Sequence, residues 1–460
     1  MSGVGEPGHE STAAARTDWT GRRLRLEVGG PAQGGEFVAR HEGRVVFVRG
    51  GITGETVTAE VNDDPGRRFC RARVVEIHEC SEHRVEPACQ AAAAGAGCCD
   101  WAHIAADAAR DFKARVLAEQ LERVGGLTVA QPVEVVAPGG NAAVTGWRSV
   151  ARLVTDSAGR PGVRGLRSHD VVTTPCAQLA PEIVAAVGAR TWRADHEILA
   201  VLDDGGSVHL ATRPVAGRGR RARGRSGRAR GRGSASARRA AVEAGPPWQR
   251  PDGEGVTAPV LRRVGDVTWN LPLEAFWQAH RDAAPHYSDM VSEELGPRAP
   301  RQVWDLYGGA GLFTAAARRA SPGAHVTLVE SSPAGTTAAR QTFGDGVDVV
   351  RSRTLDFLNS ERAHHGGEGA DRKLDAIVLD PPRGGAELEV MRQLADSGAG
   401  IVIHVGCDPA SLARDVGALH TAGWSVRSVS GVDAFPGTHH VEGFAVVVNG
   451  ASARRPAGRS

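Results

Sequence analysis

At 460 residues, with 41% hydrophobic and 23% charged side chains, the chain can bury a sizeable core and has room for roughly three domains. No apolar run reaches the ~18 residues a membrane helix needs, and the polar start MSGVGEPGHESTAAARTDW lacks a secretory pattern. A membrane or secreted protein is therefore not expected; a cytoplasmic monomer is. The formal net charge is only +2, so the chain as a whole is not a polycation built to coat nucleic acid.

Residues 1–18 read as a disordered amino terminus. From 19 to 79 short alternating runs at 23–28, 35–40, 44–48, 56–61 and 70–77 are punctuated by glycines and an Asp-Pro-Gly turn. Five such strands suggest a small OB-type β-barrel, an architecture that commonly binds RNA. The stretch HEGRVVFVRGGITGE, 41–55, resembles the TRAM domain, a small barrel carried by RNA-modifying enzymes.

Five of the seven cysteines fall between 70 and 99, namely Cys70, Cys80, Cys89, Cys98 and Cys99; Cys176 and Cys407 complete the set. In an intracellular protein such clustering points to metal or iron-sulfur ligation rather than disulfides. A helix follows over 105–124, with Phe112, Val116, Leu117, Leu121 and Val124 on one face. Residues 80–130 thus form a cysteine-containing subdomain, and 131–275 a central α+β domain with strands near 147–154 and 162–166.

That central region is interrupted at 215–247. Residues 218–239 hold ten arginines and no acid, among Gly, Ala and Ser, a composition that cannot form a core. It is either an RNA-binding arm working through phosphate contacts or a solvated linker.

From 276 to 450 strands and helices alternate, with strands expected at 301–306, 324–329, 347–350, 374–379, 400–405, 424–429 and 443–448. The fold class is α/β: a doubly wound, mostly parallel, Rossmann-like sheet, joined to the barrel and the α+β domain. Residues 451–460 are an arginine-rich tail.

Three motifs each follow an apolar strand, so their loops should converge on the carboxyl edge of one sheet, where open α/β sheets bind ligands. The first is Asp305-Leu-Tyr-Gly-Gly-Ala-Gly311, whose glycines allow close backbone approach to a ligand. Glu330 ends the next strand, where a carboxylate suits the two hydroxyls of a ribose. The spacing is not that of a dinucleotide fingerprint, and the pair resembles class I S-adenosylmethionine-dependent methyltransferases instead. The second motif, Asp380-Pro-Pro-Arg383, presents a carboxylate on a rigid turn.

The third is the run IVIHVGCDPASLARD, 401–415, which ends a buried strand on Cys407. Carbon 5 of uracil is too weak a nucleophile to attack a methyl donor unaided, and a thiolate adding to carbon 6 makes it enolate-like. The thiolate is needed, so a lowered Cys407 pKa is expected. The carbon 5 proton must afterwards go to a base. Glu442 in Thr438-His-His-Val-Glu442 is the candidate, with His439 and His440 as rivals.

These residues together resemble the RNA uracil-5-methyltransferase family over nearly the whole chain. The resemblance implies Cys407 as nucleophile, Glu442 as base, and S-adenosylmethionine contacts from Gln278, Tyr307, Gly309, Gly311, Glu330 and Asp380. Asp356 is the candidate for a further contact between 348 and 358, and Leu312 stands where relatives often place a polar residue. The implied partner is RNA, 23S rRNA before tRNA, with a cytosine-C5 methyltransferase and a non-catalytic RNA-binding protein as the other readings.

Relatives that bind a [4Fe-4S] cluster carry Cys-Gly-Gly-Cys; here Ala96 replaces the first of those cysteines. Cys89, Cys99 and Cys176 match, and Cys98 or Cys80 must supply the fourth thiolate. A bound cluster, a cluster-free subdomain and zinc all remain open at this point.

Overall fold

The computed structural model describes residues 18–66, 68–128, 131–215, 246–251, 258–364 and 373–450. The expected amino-terminal tail, nearly all of the arginine-rich insert and the carboxyl-terminal tail lie outside them. The chain divides into two compact units, Met1–Arg84 and Val85–Ser460.

The first unit is a five-stranded sheet in the order Arg23–Glu27, Thr56–Asp63, Phe69–Glu79, Arg44–Arg49, Phe37–His41. All neighbours are antiparallel except Arg44–Arg49 and Phe69–Glu79. Period-two burial builds its core: Leu24 and Leu26 point inward between exposed Arg23, Arg25 and Glu27. Two acids with enclosed side chains tie its loops. Asp64 accepts both guanidinium arms of Arg44 at 3.0 and 2.7 Å, and that pairing holds its carboxyl well below the usual range. Glu55 accepts from Arg84 at 2.6 and 2.8 Å and from the Ile52 amide at 2.9 Å.

The second unit contains two larger sheets. One is antiparallel, in the order Val208–Pro214, His196–Leu202, Val150–Thr155, Pro161–Arg164, Val171–Val172. The other has eight strands in the order Asp348–Arg351, His325–Glu330, Gln302–Leu306, Ala376–Leu379, Ile401–Gly406, Glu442–Asn449, Trp424–Val432, Val135–Val136. The first five run parallel; Glu442–Asn449 is antiparallel to both its neighbours. The expected α/β class is what the structure shows.

The parallel strands are apolar on both faces because helices cover both. Ala376 and Val378 face one core with Tyr287 and Val291 of the helix Ala283–Leu295; Ile377 and Leu379 face the other with Leu412 and Val416 of the helix Pro409–Thr421. Packing does not follow chain order. The helix Ala106–Arg123, which comes just after the cysteines, buries Leu117 and Leu121 in this second core. Its end approaches Pro409–Thr421 so closely that a Cβ on Gly417 would lie 2.5 Å from the Gly125 carbonyl oxygen. Val135–Val136 becomes the edge strand of the same sheet. Among the described residues no helix is long and apolar enough to cross a membrane.

Candidate active site and a four-cysteine centre

Strand register brings the three motifs together. Leu306 pairs with Val329 and Leu379, Leu379 with His404, and Gly406 with Gly443. Tyr307, Glu330, Asp380 and Cys407 therefore stand at the carboxyl ends of four adjacent strands. Glu442 joins them because its strand is antiparallel, so its first residue meets the others' last.

The loop after Leu306 is shaped by left-handed backbone at Tyr307 (φ 59°), Gly309 (φ 55°) and Gly311 (φ 94°). A side chain at Gly311 is doubly excluded, since its Cβ would also lie 2.4 Å from the Phe343 ring. Glu330 is oriented by the same loop: it accepts from the Gly309 amide at 3.0 Å and from the Ser332 amide. Asp305 anchors the loop to the following helix, accepting from the Thr314 amide and hydroxyl at 2.8 and 2.6 Å. Burial pushes its carboxyl up to about 7.

The Asp380-Pro-Pro-Arg383 turn is braced by the helix that follows Cys407. Asp408 caps that helix by accepting from the Ser411 amide at 2.9 Å. Ser411 Oγ donates to the Arg383 carbonyl at 2.9 Å, and Arg414 to that of Gly384 at 2.8 Å. Buried Asp415 accepts from the Ala386 amide at 2.7 Å and pairs with His404 at 3.1 Å. Nothing in the one-dimensional pattern marked Asp415 or His404 as braces; both lie within 401–415 but act through a fold-made contact.

Thiol and carboxyls share one enclosed electrostatic environment. Burial, reinforced by the Asp305 charge, pushes Asp380 to about 7, and burial, reinforced by Asp380 and opposed by Arg383, pushes Glu442 to about 8. Burial pushes Cys407 to about 12, with Glu442 and Asp380 adding to the rise and Arg383 opposing it. This corrects the expectation of a lowered thiol pKa: the free protein encloses Cys407 between acids and offers one guanidinium against them. Tyr287, one of only two tyrosines in the chain, lies in the same field; its buried hydroxyl has no hydrogen-bond partner. Sequence reading missed it, and its helical position among core residues carried no signal.

The rival bases differ from Glu442. His439 is engaged by Asp100, with Nδ1 2.5 Å from Oδ2. Burial lowers His440 to about 4, leaving a weakly basic ring. Tyr307 is half-buried with its hydroxyl donating to the Ala386 carbonyl at 3.4 Å. Asp356 is exposed in the first turn of Thr354–His364, whose Thr354 reaches the Tyr307 hydroxyl. Leu312 is buried in the core and offers no polar contact. Gln278 lines a cavity with Trp277, His280 and Arg262.

Cys89, Cys98, Cys99 and Cys176 converge, with all four Sγ atoms within 4.8 Å of one another. Three pairs stand at 3.8, 3.9 and 3.7 Å: Cys89 with Cys98, Cys89 with Cys176, and Cys99 with Cys176. None is in a disulfide. Four enclosed thiols are the donor set of a soft-metal centre. Cys98 is thus the fourth member; Cys80 is exposed and outside the group.

A glycine-turned loop, a carboxylate ending the next strand and a cysteine beside two acids thus stand together on one α/β sheet edge. A family model for the TRAM domain matches residues 19–75. The chain is 37% identical over 454 residues to an "uncharacterized RNA methyltransferase" of Corynebacterium efficiens, covering 95% of this chain and 98% of that one. It is 31% identical over 484 residues to the 23S rRNA (uracil(1939)-C(5))-methyltransferase RlmD of Halomonas elongata, covering 100% and 96%. Among solved structures, the tRNA (uracil-54, C5)-methyltransferase of Pyrococcus abyssi, in complex with S-adenosyl-L-homocysteine, superposes with a TM-score of 0.63 at 18% identity, covering 92% and 99%. The chain belongs to the RNA (uracil-5-)-methyltransferase family, carries a TRAM domain and is an RNA methyltransferase.

Proposed function

We propose that this chain methylates carbon 5 of a uridine in structured RNA, with S-adenosylmethionine as donor and 23S rRNA as the target. The supporting observation is the meeting of Cys407 with Glu442 and Asp380 on paired strand ends, Gly406 opposite Gly443. Cys407 Sγ, as thiolate, adds to carbon 6 of a uracil taken out of its stack, and the electron pair moves onto carbon 5 and the carbonyl beyond it. S-adenosylmethionine supplies the electrophilic methyl on its sulfonium and leaves as S-adenosylhomocysteine. Glu442 then takes the proton from carbon 5, the carbon 6–sulfur bond breaks, and the ring double bond returns.

Because burial holds Cys407 largely as a thiol, Arg383 is assigned the task of favouring the thiolate. Glu330 would hold the ribose hydroxyls, and Tyr307, Gly309, Gly311, Gln278, Asp356 and Asp380 the rest of the donor. The TRAM domain, spanning 19–79, and the arginine-rich insert serve as RNA contacts, and 276–450 as the catalytic domain, of a cytoplasmic monomer.

The four cysteines hold a metal centre. Cys89, Cys98, Cys99 and Cys176 would hold a [4Fe-4S] cluster, which the family resemblance implies. The same four thiolates would also hold one zinc ion. Iron, zinc and sulfide analysis of the purified protein separates the two.

The deciding experiment is transfer of labelled methyl to total RNA from a strain lacking the gene, with RNA fractions separated and nucleosides analysed. Label as 5-methyluridine in 23S rRNA is expected. The same nucleoside in tRNA would move the target, 5-methylcytidine would overturn the assigned base, and absence of label would overturn the reaction.

A further inference from the structure

Glu442 is delivered by the segment 433–441, which joins Trp424–Val432 to Glu442–Asn449. Its anchors come from elsewhere in the same unit. Asp433 pairs with buried Lys113, whose Nζ also donates to the Phe435 carbonyl at 3.2 Å, and the Asp433 amide donates to the Val136 carbonyl at 2.8 Å. Further along the segment, four hydrogen-bonded contacts lead to the neighbourhood of the cysteine centre. The Trp101 amide donates to the Gly437 carbonyl at 3.0 Å. Asp100 receives the His439 amide at 3.2 Å and lies against its ring nitrogen. Gln178 Nε2 bridges the Pro436 carbonyl at 3.3 Å and the Cys98 carbonyl at 3.2 Å.

Asp100 and Trp101 follow Cys99 directly, and Gln178 is two residues after Cys176. Arg148 stiffens the arrangement by donating to Gln178 Oε1 at 3.1 Å, while its charge faces Cys176, Cys99 and Cys98. The hydroxyl of Thr438 closes the segment on itself, donating to the Phe435 carbonyl and accepting from the His440 amide. Fixing four sulfurs on one centre therefore fixes the three residues that grip 436–439, a few residues before Glu442.

We propose that the four-thiolate centre is a clamp on the base-bearing segment, with Asp100 and Gln178 as positioning residues that set Glu442 for proton removal. The inference rests on the reading of Glu442 as base. When the centre is intact the segment is held; without it, the steps before proton removal survive and adduct breakdown slows. Whether iron or zinc fills the centre does not alter this, because the load passes through the cysteine backbone.

RNA containing 5-fluorouridine separates the steps: fluorine at carbon 5 cannot leave as a proton is removed, so the covalent adduct accumulates without any action of the base. In Asp100→Ala and Gln178→Ala we expect unchanged iron and zinc content and adduct formation on 5-fluorouridine RNA close to that of the parent. Turnover on uridine RNA is expected to fall about tenfold or more, the range for a supporting contact one step from a metal ligand, with adduct accumulating on ordinary RNA. Amide hydrogen exchange in 433–441 is expected to speed up in both variants, and in the Cys99→Ser protein together with loss of metal.

Equal losses in adduct formation and turnover would overturn the proposal, as would unchanged turnover or unchanged exchange in 433–441. Glu442→Gln is the control for the underlying reading. If it accumulates adduct while Asp100→Ala does not, the clamp fails and the base stands; if it does not, the base assignment fails. Should Cys99→Ser not fold, the two alanine variants carry the test. Without any turnover in the parent, exchange in 433–441 of those variants still decides whether the segment is clamped.

Discussion

The raised Glu442 carboxyl makes the pH dependence of adduct breakdown the sharpest test of the site. With a pKa of about 8, about a tenth of the carboxyl is ionised at pH 7 and about nine-tenths at pH 9. Breakdown of the Cys407–RNA adduct should therefore rise tenfold per pH unit below about 8 and level off above it. Adduct formation on 5-fluorouridine RNA reports Cys407 alone, whose pKa near 12 predicts a continued rise across the whole range. Single-turnover quench measurements from pH 6 to 9.5 follow both. Asp380 raises the Glu442 pKa and Arg383 lowers it, so Asp380→Asn should move the break to lower pH and Arg383→Gln to higher pH. The same group carries a stability signature. Its folded-state pKa exceeds the ordinary 4.5, so the folded state binds the proton more tightly. Stability is full below about 4.5 and is lost as pH rises through about 8, by an amount on the order of a few kcal/mol. Glu442→Gln should lose that slope in denaturant titrations. Flat breakdown between pH 6 and 9, or breakdown in Glu442→Gln as fast as in the parent, would refute the reasoning.

Gly311→Ala should destabilise the fold by about 2–4 kcal/mol, from left-handed backbone strain and overpacking against Phe343, and should weaken donor binding; thermal unfolding and equilibrium dialysis with S-adenosylmethionine check both. Lys113→Met strands the buried Asp433 carboxylate and should cost about 3–5 kcal/mol, with part recovered in Lys113→Met/Asp433→Asn; urea titration measures it. Deleting 216–245 should lower the slope of log affinity for RNA against log salt by roughly 0.7–0.9 for each phosphate the insert neutralises and leave urea unfolding of the remainder unchanged. An unaltered salt slope would assign the insert to linker.

Much of the catalytic edge was legible along the chain because parallel strands are written as compact apolar runs with their chemistry at the end. That made Cys407, Asp380, Glu330 and the 305–311 loop readable as a set, and the α/β class with them. Glu442 was readable only as a residue before a strand; its place beside Cys407 depends on that strand running antiparallel, which apolar composition does not encode.

The cysteines were legible as a cluster, and their number as a candidate metal site. That Cys98 rather than Cys80 completes it depends on how 89–99 folds back to Cys176, a long-range contact of buried side chains. The pKa of Cys407 was misread for a related reason. Residue type announces a nucleophile, but its proton affinity comes from burial and from acids brought in by neighbouring strands. Local pattern thus determined which residues are candidates for the chemistry and which elements deliver them. Strand direction, enclosure and the grip of 99–101 and Gln178 on 436–439 were decided only by the tertiary structure, because they arise between segments that are not neighbours in the sequence.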